Sequence, residues 1–150
     1  VQENRNSVVV EVYRSIRSNL PFVLSKGQNV IMFTSTTSGE GKTCIASNLA
    51  ASIAFAGKKV VIVGLDIRKP RLAGLFNLAK SDRGISNFFT RSDDDYEYLE
   101  TLIQKSDVSP NLDIIASGPV PPNPAELLEK NNLVTAIEYL KKKYDYVYDF

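Results

Sequence analysis

The sequence predicts a three-layer α/β fold in which helices flank a mainly parallel sheet. Two short apolar runs, residues 30–33 and 60–63, are typical of buried strands. A helical pattern rich in alanine lies between them and stops at Gly57, a natural left-handed helix end. Because strand, helix and strand follow one another closely, we expect a βαβ unit with parallel strands and a right-handed crossover.

The other elements follow from the same periodicities. An amphipathic helix is predicted over residues 7–20, with Pro21 just beyond its end. The acidic run 93–95 favours a helix start over a metal ligand set. Tyr144, Tyr146 and Tyr148 alternate as in a strand, which we prefer to a cluster of phosphate-accepting tyrosines. Further helices are predicted over 70–78, 84–89, 96–104, 124–130 and 133–143, and further strands over 112–116 and 144–149.

Composition limits the possible functions. The chain has 150 residues, of which 43% are hydrophobic, so it is most simply a single domain. Because 18 basic residues balance 17 acidic ones, we expect no nucleic-acid partner. One cysteine and no histidine exclude a disulfide framework, a zinc site and a histidine-activated nucleophile within this chain. With no apolar stretch of membrane-spanning length and no signal peptide, we expect a soluble chain in a reducing cytoplasm.

A phosphate-binding loop follows the first predicted strand. Residues 36–43 read Thr-Thr-Ser-Gly-Glu-Gly-Lys-Thr, which departs from the general P-loop pattern only at Thr36, where the first glycine is usual. Backbone N–H groups of such a loop surround a polyphosphate, the lysine reaches the β- and γ-phosphates, and the hydroxyl of the last residue binds Mg²⁺. An ordinary strand-turn-helix that starts with a lysine is the alternative. The residues expected to contact nucleotide are Ser38, Gly39, Glu40, Gly41, Lys42, Thr43 and Cys44.

A second loop follows the strand at 60–63 and places Asp66 near a strand end. We expect residues 36–43 and 64–71 to lie side by side at the carboxyl ends of the strands, with Asp66 pointing into the crevice. A carboxylate there holds Mg²⁺ or accepts the proton of an attacking hydroxyl. A cap for the short helix that starts at Pro70 is the alternative role.

In these loops and in two further segments, the chain resembles the bacterial protein-tyrosine kinases, P-loop enzymes that control capsule and exopolysaccharide export. Residues 11–20 resemble the family's Glu-x-x-Arg-x-x-Arg helix, and residues 36–43 its Walker A loop. Residues 66–70 resemble the second half of its Walker A′ motif, and residues 118–128 its Pro-Pro-Asn-Pro segment. The fold implied is P-loop NTPase-like.

The resemblance implies a kinase domain that binds Mg·ATP and phosphorylates tyrosines in trans on a neighbouring copy. Lys42 and Asp66 would be its catalytic residues, and Thr43, Asp66 and Asp149 its metal ligands. The domain would span residues 1–150, with the N-terminal helix over 7–20, the nucleotide-binding core over 29–150 and the C-terminal part of the fold absent.

The resemblance also implies partners. Glu11, Arg14 and Arg17 share one helix face and would join subunits of a ring-shaped homo-oligomer; their spacing alone favours an ion pair within the helix. A membrane activator, or the transmembrane portion of a polysaccharide co-polymerase, would hold the kinase at the inner face of the cell membrane. A tyrosine phosphatase would reverse its action.

Two departures keep other functions open. Walker A′ commonly begins with Asp where this chain has Gly64, and the Walker B strand that would end at Asp149 is one residue short. One rival is a P-loop ATPase of the septum-positioning and plasmid-partition type, but its additional lysine is replaced here by Thr37. A nucleotide-binding regulator without transferase activity is the other.

Overall fold

The computed structural model describes residues 8–25, 27–32, 42–65, 83–90, 95–119, 123 and 131–149. The helices in these ranges are α1 (Val8–Val23), α2 (Lys42–Phe55), α3 (Ile85–Phe88), α4 (Tyr96–Leu102) and α5 (Asn131–Lys143). The strands are β1 (Val30–Met32), β2 (Val60–Val63), β3 (Ile103–Lys105), β4 (Leu112–Ile115) and β5 (Tyr146–Asp149). The helices predicted over 70–78 and 124–130 lie outside the described residues.

The five strands form one sheet in the order β1-β5-β2-β4-β3. All neighbouring strands are parallel except β3, which pairs antiparallel with β4. The prediction of an α/β fold with a mainly parallel sheet is therefore confirmed. The loops 36–43 and 64–71, expected to lie side by side, fall mostly outside the described residues; the strands that precede them are separated by β5.

The sheet separates two hydrophobic cores. Val60 and Ile62 of β2 face the core that contains α2, whereas Val61 and Val63 face the core that contains α3, α4 and α5. The crossover through α2 runs from β1 toward the β3 side of the sheet, and the crossover through α5 runs back from β4 to β5. Crossovers that run in opposite directions must use opposite faces if both are right-handed, so helices cover both faces.

Helix α2 lies against the sheet through a face of small and branched side chains. Ala46, Ala50, Ile53 and Ala54 are buried in that core. Alanines allow close approach of the helix backbone to the sheet, and their helix propensity is the highest of all residues. The helix ends where predicted, since Gly57 has φ +91°, a conformation in which glycine is favoured.

Two regions differ from the sequence-based expectations. Pro21 lies inside α1 rather than beyond its end, and Leu24 N–H still bonds to Leu20 C=O at 2.9 Å. Pro21 has no N–H to donate to the carbonyl four residues earlier. The last turn of α1 therefore lacks that hydrogen bond, but the helix continues to Val23. Helix α4 ends at Leu102, and the residues beyond it form the unpredicted edge strand β3. Within the described ranges, no helix has the length and apolar character needed to cross a bilayer.

Candidate nucleotide site

The carboxyl ends of three parallel strands meet at one point of the sheet edge. Asp149, the last residue of β5, is in register with Met32 on one side and with Val63 on the other. Helix α2 starts at Lys42, after the loop that follows β1. The first N–H groups of a helix have no partner within it and carry a partial positive charge, so a helix start beside this edge favours anions.

Asp149 is the acid that this arrangement places at the edge. Asp149 is only 4% exposed, and its Oδ1 atom has no hydrogen-bond partner within the described structure. Burial raises the pKa of this carboxyl, against the opposing effect of a hydrogen bond with its own backbone. A buried acceptor without a partner is costly, and such positions in proteins are commonly completed by an ion or a water.

These properties fit a magnesium ligand. Mg²⁺ binds through one or two carboxylates together with substrate phosphates and water, rather than in a cage of protein ligands alone. Asp149 therefore suits a site that a nucleotide completes.

The other predicted contacts are less fully described. Ser38, Gly39, Glu40, Gly41 and Asp66 lie outside the described residues. For Lys42, Thr43 and Cys44 the structure gives only the backbone, as the first turn of α2. Gly64 occupies the position where the resemblance leads us to expect an acid. It is buried, and its N–H donates to Ile115 C=O at 2.9 Å. This bond extends the hydrogen bonding between β2 and β4 by one residue.

Comparison with known proteins decides the family. Residues 28–148 match the AAA domain family. Tyrosine-protein kinase YwqD of Bacillus subtilis is 39% identical over 119 residues, which cover 79% of this chain and 48% of that protein. Tyrosine-protein kinase CpsD of Streptococcus agalactiae is 33% identical over 137 residues, which cover 91% of this chain and 57% of that protein.

Solved structures agree with the sequence relatives. The kinase domain of the Escherichia coli tyrosine kinase ETK matches with a TM-score of 0.89 and 32% identity over 99% of this chain and 56% of that chain. The chain belongs to the bacterial protein-tyrosine kinase family. The septum site-determining protein MinD of Pyrococcus horikoshii, solved with Mg-ADP, shares the fold at a TM-score of 0.66 and 23% identity over 81% of this chain and 47% of that chain.

The chain spans about half the length of the relatives YwqD and CpsD, 48% and 57% respectively. Its strand β5 confirms the strand interpretation of the tyrosine-rich end. Tyr148 is fully buried within the strand, and Tyr144 is buried just before it, with its hydroxyl donating to Asp113 Oδ2 at 2.6 Å. Burial, followed by the bond to Asp113, raises the pKa of Tyr144.

The polar face of α1 makes contacts within the chain. Arg14 Nη1 lies 2.5 Å from Glu11 Oε1, an exposed pair one helical turn apart. Arg17 Nη1 donates to the Ser52 carbonyl of α2 at 3.0 Å and so ties the two helices together. The ion pair that spacing alone favoured is therefore present for Glu11 and Arg14, and the part these residues play between subunits stays a prediction.

Proposed function

We propose that the protein is an ATP-dependent protein-tyrosine kinase that transfers the γ-phosphate of ATP to tyrosines of a neighbouring copy. The observation that carries this proposal is the buried Asp149 carboxylate, which ends β5 between the ends of β1 and β2 and whose Oδ1 atom has no hydrogen-bond partner in the described residues. In P-loop NTPases, an aspartate of this kind holds Mg²⁺ together with the hydroxyl of the phosphate-binding loop. Family membership with kinase relatives supports the same reading.

The proposed triphosphate contacts and the proposed magnesium ligands come from different parts of the chain. The loop 38–41 and the first N–H groups of α2 would hold the triphosphate, with Lys42 at its β- and γ-phosphates and Cys44 lining the same turn. When bound, Mg²⁺ neutralises charge that develops on the transferred group. Thr43, Asp66 and Asp149 would hold this ion, and the buried position of Asp149 keeps its carboxylate shielded from water.

The transfer step conserves atoms and charge. The tyrosine oxygen attacks the γ-phosphorus, the bond from that phosphorus to the bridging oxygen breaks, and ADP leaves. Asp66 would accept the proton of the tyrosine hydroxyl. Since Gly64 supplies no second acid after β2, that proton transfer would depend on Asp66 alone among the residues of this loop.

The setting of the reaction is part of the proposal. Glu11, Arg14 and Arg17 would join copies into a ring, so that one copy presents tyrosines to the next. A membrane activator or transmembrane portion would hold the ring at the cytoplasmic face of the cell membrane, in a system for capsule and exopolysaccharide export, and a tyrosine phosphatase would oppose it. The domain limits 1–150, with a core over 29–150, stay a prediction.

The test is tyrosine phosphorylation of the full-length protein with Mg·ATP, read by anti-phosphotyrosine blot beside a measurement of released phosphate. Lys42→Met should abolish phosphotyrosine while thermal unfolding of the variant stays that of a folded protein. Unchanged phosphorylation in this variant would overturn the kinase proposal. Phosphate release without phosphotyrosine would identify an ATPase instead, and neither product would identify a nucleotide-binding regulator.

A further inference from the structure

The seven tyrosines of this chain differ in how far the fold exposes them, and all seven lie in the described residues. Tyr144 and Tyr148 are 6% and 0% exposed. Four more are partly buried against one of the two cores: Tyr13, Tyr98, Tyr139 and Tyr146. Tyr96 is 38% exposed, more than any of the others. Within this sequence, Tyr96 is therefore the side chain that a second folded protein reaches most easily.

The backbone at Tyr96 is also the easiest to release. Tyr96 is the first residue of α4, a helix of only seven residues. Asp95 holds this first turn, because its Oδ1 and its C=O accept from Tyr98 N–H and Leu99 N–H, each at 3.2 Å. Helix ends open at far lower cost than a whole domain unfolds. The first turn can therefore open while the buried Leu99 and Leu102 keep the rest of α4 on the core.

The partly buried tyrosines are held more firmly. Tyr146 lies in β5, which pairs with β1 on one side and with β2 on the other. Tyr13 lies inside the 16-residue α1, and Tyr139 lies inside the 13-residue α5. Tyr98 belongs to α4, but its ring packs against the core. Presenting any of these hydroxyls to another protein would break a sheet, a long helix or core contacts.

The contact that the structure shows for Tyr96 is made by its ring. This ring stacks on that of Tyr139, with centroids 4.7 Å apart and an angle of 15° between the planes. A stack uses the faces of the two rings, whereas the phenolic oxygen lies at the ring edge. Such a contact is weak beside the burial of a whole aromatic ring. The stack therefore orients Tyr96 without enclosing its hydroxyl group.

We propose that Tyr96 is a phosphorylation site, to whose hydroxyl a neighbouring copy transfers the γ-phosphate of ATP. This inference rests on the proposed kinase function and names an acceptor for it. The Tyr96 oxygen forms the new bond to the γ-phosphorus, the bond from that phosphorus to the bridging oxygen breaks, and ADP leaves. The phenolic proton passes to the base of the copy that acts as kinase. The product carries about two additional negative charges at the start of α4.

The experiment mixes wild-type full-length enzyme and Mg·ATP with isotopically labelled full-length Lys42→Met protein as the acceptor. The label distinguishes acceptor peptides from enzyme peptides by mass. Trypsin cleaves after Arg91 and Lys105, so one peptide carries both Tyr96 and Tyr98, and fragmentation separates the two sites. We expect at least about tenfold more phosphate at Tyr96, because Tyr98 must also expose a ring that packs against the core.

Two variants of the labelled acceptor serve as controls. Tyr96→Phe should remove the phosphate from this peptide. Tyr139→Phe keeps the other ring of the stack and removes only the hydroxyl that donates to Glu100, so phosphorylation of Tyr96 should continue to the same extent. An unmodified peptide in an acceptor phosphorylated elsewhere, or equal phosphate at Tyr96 and Tyr98, would overturn this inference and leave the kinase proposal standing. Absence of phosphotyrosine from every peptide would overturn both.

Discussion

Asp149 ends β5 in register with Val63, the last residue of β2, so a charged group lies at the same level as the apolar end of its neighbour. The strand is otherwise one of the most buried parts of the chain, with Val147 and Tyr148 fully buried before the acid. A carboxylate at such a position is unfavourable for folding unless a cation or donors reach it. The position of Asp149 beside Val63 is therefore where the sheet contains a residue that lowers its stability and that suits the proposed site.

Asp149→Asn should make the nucleotide-free protein more stable. The amide has nearly the same shape as the carboxylate but carries no charge, so the substitution removes a buried charge. Since the folded state holds the Asp149 proton more tightly than the unfolded state, wild-type stability falls as the pH rises from about 4 toward neutral. The advantage of asparagine should therefore grow over that range. Thermal unfolding at several pH values measures it, with the exposed Glu138→Gln as control.

The same Asp149→Asn variant should lose its response to nucleotide. A ligand at 100 times its Kd stabilises the folded state by about 2.7 kcal/mol. The wild type should gain this stabilisation from Mg·ADP, and the Asp149→Asn variant should gain a much smaller stabilisation. An equal gain in both proteins would contradict a role for Asp149 in binding magnesium.

Tyr144→Phe should destabilise the fold by about 1–3 kcal/mol, because it removes the donor to Asp113 Oδ2 inside the protein. Lys105 Nζ lies 2.9 Å from Asp113 Oδ1. This ion pair does not replace the hydrogen-bond donor that Oδ2 loses. Urea unfolding measures the loss. Tyr96→Phe is the control: its ring stacks on Tyr139 with centroids 4.7 Å apart and keeps that contact without the hydroxyl. Equal stability of the two variants would contradict the importance of the buried bond.

Gly118→Ala and Gly57→Ala separate backbone strain from a steric clash. Both glycines have positive φ, +81° and +91°, so both substitutions should cost about 1–2 kcal/mol. Only at Gly118 would the new Cβ meet a neighbour, Ser86 Oγ, whereas nothing lies within 4 Å at Gly57. Denaturant unfolding should therefore show the larger loss for Gly118→Ala. A loss no greater than that of Gly57→Ala would argue against tight packing of Gly118 against Gly84 and Ser86.

Arg14→Ala combined with Arg17→Ala should lower the mass of the assembled protein in light scattering. The two single variants test different things. Arg17 also donates to the Ser52 carbonyl of α2, whereas Arg14 Nη1 contacts Glu11 on its own helix. Arg14→Ala is thus the cleaner test of assembly. An unchanged mass for the double variant would contradict assembly through α1.

Elements with strong local signals were predictable from the sequence. Strand β2 occupies residues 60–63 as predicted, since a short run of β-branched residues next to a helix-ending glycine allows few alternatives. Helix α2 likewise begins at Lys42. The edge strand β3 was not predictable, because Ile103, Gln104 and Lys105 also continue the helical pattern of α4 and only pairing with β4 makes them a strand.

Features that depend on distant pairing were harder to predict. The insertion of β5 between β1 and β2 joins segments more than 80 residues apart, and no local pattern specifies such an order. The likeness to a Walker B strand identified Asp149, but its burial and unpartnered oxygen became visible only in the fold. Ser86 gave no signal in the sequence, because its partner carbonyl at Pro119 is 33 residues away.

Binding of Mg·ADP to this chain, measured by isothermal titration calorimetry, tests the central claim most directly. If the start of α2 and Asp149 form a nucleotide site, the titration should give saturable binding of one nucleotide per chain, abolished by Lys42→Met and weakened by Asp149→Asn. Absence of binding at millimolar Mg·ADP and Mg·ATP, in a protein that unfolds cooperatively, would contradict the account.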